Sequence, residues 1–232
     1  MAKDVIIALD FSSKAETLNF LAQFEGLNPY IKIGMELFYS EGSSLVTELK
    51  EKGFKIFLDL KLHDIPNTVK KAMRNLARLG VDITNCHAGG GIEMMRAAKQ
   101  GLDEGTGEDK KPLLIAVTQL TSTSETALHN ELLINASMAD TVKKYAENAK
   151  AAGLDGVVCS PLEAAIMKEL SLISITPGVR PLGADVGDQQ RVTTPAKARE
   201  LGSTYIVVGR PITDAPNPKA AYLEIRKDFL GI

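Results

Sequence analysis

The chain has 232 residues, 44% of them hydrophobic and 24% charged, the proportions of an ordinary soluble globular protein. Its 27 Lys plus Arg against 29 Asp plus Glu leave a formal charge of −2, which argues against a nucleic-acid binder held by phosphate contacts. Apolar runs such as Val5 to Leu9 fall far short of the roughly 20 residues needed to cross a bilayer.

The N-terminal MAKDVIIALD meets an acid at Asp4 and lacks the apolar core and cleavage site of a signal peptide. A first strand, Val5–Asp10, ends IIALD and puts Asp10 at its rim. A helix over Ser13–Phe24 follows, opened by what reads as a capping box, Ser13-Lys14-Ala15-Glu16. The second strand, Tyr30–Gly34, carries Lys32 among apolar residues, with Gly34 leaving room above it. Next come a strand over Lys55–Leu62, a helix over Pro66–Leu79 and a strand over Asp82–Ala88. A helix over Gly91–Gly101 packs Met94 and Met95. The later strands are Leu113–Leu120, Gly156–Ser160, Ser174–Gly178 and Tyr205–Gly209, with helices over Ala136–Ala152 and Leu162–Leu170 among the stretches between them. The strands are rich in Ile, Val and Leu with little polar alternation, which suits parallel strands covered on both faces. Gly53, Gly80, Gly153 and Gly202 stand where helices should stop. Cys86 and Cys159 sit in apolar strands and form no C-x-x-C pair, so a reduced, cytoplasmic protein is expected.

Eight strands share 232 residues, 29 apiece, which is what a strand, a helix and two short loops require. No G-x-G-x-x-G follows the first strand, and no G-x-x-x-x-G-K-[ST] occurs. The expectation is therefore one catalytic domain over 1–232, a (β/α)8 TIM barrel, with an open α/β sheet as the alternative.

A barrel of this kind places its active site at the C-terminal strand ends, where unpaired buried charge is expensive. The third strand reads IFLDLKLHDIP. A period of two sets Asp59 and Lys61 on one face above Phe57, while Leu58, Leu60 and Leu62 face the helices. Asp64 falls in the loop beyond. With Asp10 and Lys32 these residues make an alternating set of carboxylates and ammonium groups. Flanking anions favour a charged Lys61, and a protonated lysine beside a reacting carbon is a general acid. The competing reading is a structural ion network, with Asp64 capping the helix that begins at Pro66.

The seventh strand ends ITPGVRP and the eighth IVVGRPI. Gly178 with Arg180, and Gly209 with Arg210, suit a phosphate: glycine lets backbone N–H groups approach, and arginine binds bidentately. The polar stretch after Arg180, with Gly183, Gly187 and Gln189, is expected to form a lid; the alternative is a surface loop. His87 precedes three glycines, Gly89 to Gly91, but a packed or hydrogen-bonded histidine is the plainer role. His63 and His129 lack ligand-spaced partners, so no metal site is expected. Thr121 and Ser122, after the fifth strand, are rim donors or ordinary loop caps.

Asp10, Lys32, the run Asp59-Leu60-Lys61-Leu62-His63-Asp64-Ile65-Pro66-Asn67-Thr68 and the two Gly/Arg strand ends together closely resemble the orotidine 5′-phosphate decarboxylase family, in its short bacterial form. The resemblance runs from IALD to VVGRPIT and rests on the specific core D-x-K-x-x-D-I-P-x-T. It implies that Lys61 protonates C6 of the pyrimidine as carbon dioxide leaves and that Asp59 sits against the substrate carboxylate. It implies that Lys32 and Asp10 contact the ribose, that Thr121 contacts the pyrimidine, and that Arg180, Gln189, Gly209 and Arg210 grip the phosphate. It further implies a homodimer in which Asp64 enters the neighbouring subunit's site, with Ile65 and Thr68 beside it, and no metal or organic cofactor. A sister group, the magnesium-dependent 3-keto-L-gulonate 6-phosphate decarboxylase type, shares D-x-K-x-x-D but carries an acid where this chain has Lys32. A sugar-phosphate epimerase or isomerase, or a non-catalytic barrel binding a phosphoribosyl ligand, would explain the arginines but not the paired charges of the third strand.

Overall fold

In the computed structural model of the chain, residues 3–107, 111–182 and 193–232 are described. Strand β1 (Asp4–Leu9) leads into α1 (Lys14–Ala22), β2 (Tyr30–Gly34) into α2 (Met35–Glu51), and β3 (Lys55–Leu62) into α3 (Pro66–Ala77). Then come β4 (Ile83–His87), α4 (Gly91–Thr106), β5 (Leu113–Val117), α5 (Glu125–Asn130) and α6 (Met138–Ala151). The chain continues through β6 (Gly156–Val158), α7 (Ala164–Glu169), β7 (Ile173–Thr176), α8 (Pro195–Leu201), β8 (Tyr205–Val208), α9 (Arg210–Thr213) and α10 (Pro218–Leu230). Each strand pairs in parallel with its sequence neighbour, and β8 returns to β1 in the register Asp4↔Tyr205 to Ile7↔Val208. That last ladder closes the barrel and disposes of the open-sheet alternative.

The strands are apolar on both faces because both faces are covered. Val5, Ile7, Leu9, Ile31, Ile33, Ile56, Leu58 and Leu60 pack against the helices. Ile6, Ala8, Tyr30, Phe57, Ile83, Ile115, Ile175 and Val207 fill the barrel. Followed toward the C-terminal end, the inward phase of β1, β2, β3 and β8 leads to Asp10, Lys32, Asp59 and Gly209. Strand period alone thus delivers the charges to the barrel mouth.

Several boundaries differ from the sequence expectation, each for a local reason. Strand β5 ends at Val117, whose pair with Val158 is closed by the Thr118 N–H on the Val158 carbonyl (3.2 Å); the Thr118 hydroxyl donates to the same carbonyl (2.8 Å). Strand β6 stops at Val158 because Ser160 is taken up as a cap. Its Oγ accepts from Leu162 N–H, and the Glu163 carboxylate accepts the Ser160 N–H at 2.6 Å. The complete capping box lies here. At Ser13 only half of it forms: Ser13 Oγ accepts from Glu16 N–H, but the Glu16 carboxylate takes the Ser12 N–H instead. Helix α4 runs past Gly101 to Thr106. Gly101 and Gly105 lie against α3 so closely that a methyl group would overlap the carbonyls of Lys70 and Arg74. The four glycines expected at helix ends do adopt positive φ, from 67° at Gly80 to 95° at Gly202. Cys86 and Cys159 are buried and not joined in a disulfide, and burial pushes the Cys86 thiol up to about 12. Among the described residues no helix is long and apolar enough to cross a membrane.

Candidate active site

The charged residues expected at the strand ends meet in one row across the barrel mouth. Lys32 Nζ lies 3.1 Å from Asp10 Oδ1 and 3.6 Å from Asp59 Oδ2, and Lys61 Nζ lies 2.7 Å from Asp59 Oδ1. Carboxylate and ammonium therefore alternate from β1 to β3. Gly34 pairs with Asp59 in the β2–β3 register, and a Cβ there would stand 3.1 Å from Lys32 Nζ. Glycine is what lets the Lys32 ammonium pass between its neighbours. Asp59 is only 8% exposed. Burial works against its charged form. The Lys32 and Lys61 ammonium groups, with hydrogen bonds from Lys61 and Asn85, outweigh that and hold its carboxyl below the ordinary range.

Lys61 itself has φ 51°, the left-handed region. The β3–β4 pairing slips between Leu58↔Thr84 and Leu62↔Cys86, so the end of β3 bulges. The simple alternation that put Asp59 and Lys61 on one face predicts their meeting but not this bulge. Two residues escaped the sequence reading. Asn85, fully buried on β4, donates to Asp59 Oδ1 at 2.7 Å and accepts the Lys61 N–H at 2.8 Å. Gln119 lies buried along the cavity wall. Both were findable by carrying the inward phases 83–85–87 and 113–115–117–119 to the mouth.

Two adjoining cavities open on this row. The first, about 190 Å³, has Phe57, Val117, Val158, Ile175 and Val207 on its apolar side. Lys32, Asp59 and Lys61 form its charged wall, with Gln119, Thr121 and Ser122 along the β5 rim. The second, about 160 Å³, shares Lys32, Pro177 and Val207 with the first and is lined by Asp10, Gly178, Arg180, Gly209 and Arg210. Arg180 is 8% exposed, and its backbone N–H donates to the Thr193 carbonyl at 2.9 Å. Arg210 is the first residue of α9, directly after Gly209. An apolar slot with an ammonium at one end thus continues into a cationic, glycine-bearing corner suited to a phosphate.

Three expected site residues stand outside this group. Asp64, Ile65 and Thr68 are exposed, with Ile65 at 67%. Asp64 does not cap α3: its Oδ1 accepts the adjacent Ile65 N–H at 2.6 Å, and the N-cap position is Ile65. Gln189, with Gly183 and Gly187 of the expected lid, lies outside the described residues. His87 is a packed histidine, its ring 5.6 Å from that of His63. Burial first, then His63 and Lys61, hold it below its ordinary range. His129 Nδ1 meets the Ile134 carbonyl at 2.7 Å. Among the described residues no three His, Cys, Asp or Glu side chains converge as a metal set.

Comparison with known proteins places the chain in a family. Residues 3–225 match the model of the orotidine 5'-phosphate decarboxylase / HUMPS family. The chain is 60% identical over 231 residues to the orotidine 5'-phosphate decarboxylase of Enterococcus faecalis, covering 97% of each chain. It is 55% identical over 236 residues to that of Bacillus anthracis, covering 100% of this chain and 99% of the relative. The crystal structure of orotidine 5'-phosphate decarboxylase from Lactobacillus acidophilus superposes with a TM-score of 0.88 at 44% identity, over 98% of this chain and 99% of that one. A conserved protein of Geobacillus kaustophilus superposes with a TM-score of 0.86 at 49% identity, over 97% and 99%. By sequence over nearly its whole length and by fold, the chain belongs to the orotidine 5'-phosphate decarboxylase / HUMPS family.

Proposed function

We propose that the chain decarboxylates orotidine 5′-monophosphate to uridine 5′-monophosphate, the last step of de novo pyrimidine nucleotide synthesis. The observation that carries this reading is the row Asp10–Lys32–Asp59–Lys61 beside an apolar slot that continues into the arginine corner. The phosphate binds at Arg180, Gly209 and Arg210. The pyrimidine lies in the slot near Thr121, and Lys32 and Asp10 meet the ribose. The bond between C6 and the carboxylate breaks, carbon dioxide leaves, and its electron pair remains on C6 as an sp² carbanion. The Lys61 ammonium faces that charge and delivers a proton to C6; solvent reprotonates the lysine. A fixed cation in a partly water-excluded site stabilises developing negative charge far better than water does. Asp59 holds Lys61 in place and crowds the substrate carboxylate. Phosphate binding, remote from C6, supplies the energy that orients the ring.

The catalytic unit spans 1–232 as one barrel, works in the cytoplasm and uses no cofactor. It acts as a homodimer, in which the exposed Asp64, Ile65 and Thr68 reach the partner's site. Their exposure beside the mouth, and the absence of a capping role for Asp64, support this reading. The test is the absorbance change of orotidine 5′-phosphate with purified protein in EDTA. Conversion to uridine 5′-phosphate is expected. No conversion in EDTA, but turnover of a sugar phosphate with magnesium, would overturn the reading in favour of the sister decarboxylase type.

A further inference from the structure

The bulge at the end of β3 has a specific partner. Between the pairs Leu58↔Thr84 and Leu62↔Cys86, three residues of β3, Asp59 to Lys61, stand opposite a single residue of β4, Asn85. Asn85 is fully buried on the inward phase of β4 and does not line the cavity. Its amide spans the irregularity, donating to Asp59 Oδ1 at 2.7 Å and accepting the Lys61 backbone N–H at 2.8 Å. Only one orientation of the amide satisfies both neighbours, because the N–H needs an acceptor and the carboxylate needs a donor. The same Asp59 Oδ1 receives Lys61 Nζ at 2.7 Å. A lysine persists at φ 51° only where its surroundings over-determine that conformation, and the Asn85 bridge is a fixed, buried hold on it.

On the decarboxylase reading, on which this step rests, we infer that Asn85 is a positioning residue: it pins the β3 bulge so that the Lys61 ammonium stands on Asp59 and faces C6. It acts through Asp59 and Lys61 and touches no substrate. An aliphatic residue at this place would fill the barrel as well as Asn85 does, but would leave a carboxylate and a backbone N–H without these partners. The titratable groups around Asp59 are Lys61 on its own strand, Lys32 on β2 with Asp10 after β1 behind it, and His87 on β4. Asn85 adds the neutral donor that favours the ionised carboxylate.

The experiment measures kcat and KM for orotidine 5′-phosphate across the acid and neutral range, with thermal unfolding, for wild type, Asn85→Ala, Asn85→Asp and Lys61→Ala. Asn85→Ala is expected to lower kcat roughly 10- to 100-fold, the scale of a misplaced reacting group, with KM little changed because the phosphate corner is intact. Asn85→Asp keeps the volume and the acceptor for the Lys61 N–H but sets a second carboxylate against Asp59. Its acid limb is therefore expected to move to higher pH, as two carboxylates come to share a proton. Should Asn85→Ala fail to fold, the near-isosteric Asn85→Asp decides. Wild-type kcat and an unmoved acid limb in the folded variants, with Lys61→Ala inactive, would overturn the inference and leave the decarboxylase reading standing. Near-normal turnover by Lys61→Ala, or none by wild type, would overturn both.

Discussion

Lys61 and Asp59 form a pair whose members need each other. Lys61→Ala takes away the proposed proton donor and leaves Asp59 buried with Lys32 as its remaining cation. Turnover is expected to fall by at least about 10³-fold, the range seen when a general acid or a fixed stabilising charge is lost. Uridine 5′-phosphate formation measures it, and near-normal rates would remove Lys61 as the acid. Asp59 titrates below an unfolded carboxyl, so the folded chain binds fewer protons there. Its contribution to stability is present above the ordinary carboxylate value of about 3.9 and is lost as the pH falls through its lower folded value. The stability gap between wild type and Asp59→Asn is therefore expected to narrow in acid, as followed by circular dichroism. Arg210→Ala should act differently, raising KM by about 10- to 100-fold as charge-assisted phosphate hydrogen bonds disappear. Asp10, Lys32, Asp59 and Lys61 were legible in the sequence because a charge in an apolar strand has few structural explanations. Asn85 was not, because a neutral amide acquires its meaning only from the bulge opposite.

Elements place these residues by packing as much as by period. Gly34 closes β2 beneath α2, and a Cβ there would press on Lys32 Nζ from 3.1 Å. Gly34→Ala should keep the fold and displace that ammonium by a few tenths of an ångström, lowering kcat/KM by up to about tenfold. Gly101 has the opposite consequence. Gly101→Ala drives a methyl into the Lys70 carbonyl at the α3–α4 contact, which includes no residue of the charged row, and should destabilise the fold by about 1–3 kcal/mol. Thermal unfolding should show that loss with kcat of the remaining folded protein unchanged. In the sequence Gly101 looked like a helix end, since glycine at a terminus and glycine at a helix crossing are the same letter. Only the neighbouring helix separates them.

At the scale of the whole molecule, the proposed homodimer with Asp64 crossing into the partner's site makes a mixing prediction. On that proposal, Lys61→Ala and Asp64→Ala proteins are each expected to be inactive alone and to recover a fraction of wild-type turnover when mixed, because one site of a mixed dimer would hold both residues. No recovery despite proven subunit exchange would count against shared sites. The barrel itself could be read from the chain: eight apolar strands spaced about 29 residues apart, with no nucleotide-binding glycine motif, leave few ways to cover both faces of a parallel sheet. The charges at the mouth could be read too, because side chains alternate along a strand, a period that holds as far as Asp59 before the β3 bulge. What tertiary structure alone decided was whatever depends on a second element arriving from elsewhere in the chain. Asn85 faces the β3 bulge, Gly34 makes room for Lys32, and Ser160 becomes a cap rather than a strand residue. Local pattern is set by neighbours in sequence, whereas bulges, close approaches and bridging hydrogen bonds are set by neighbours in space.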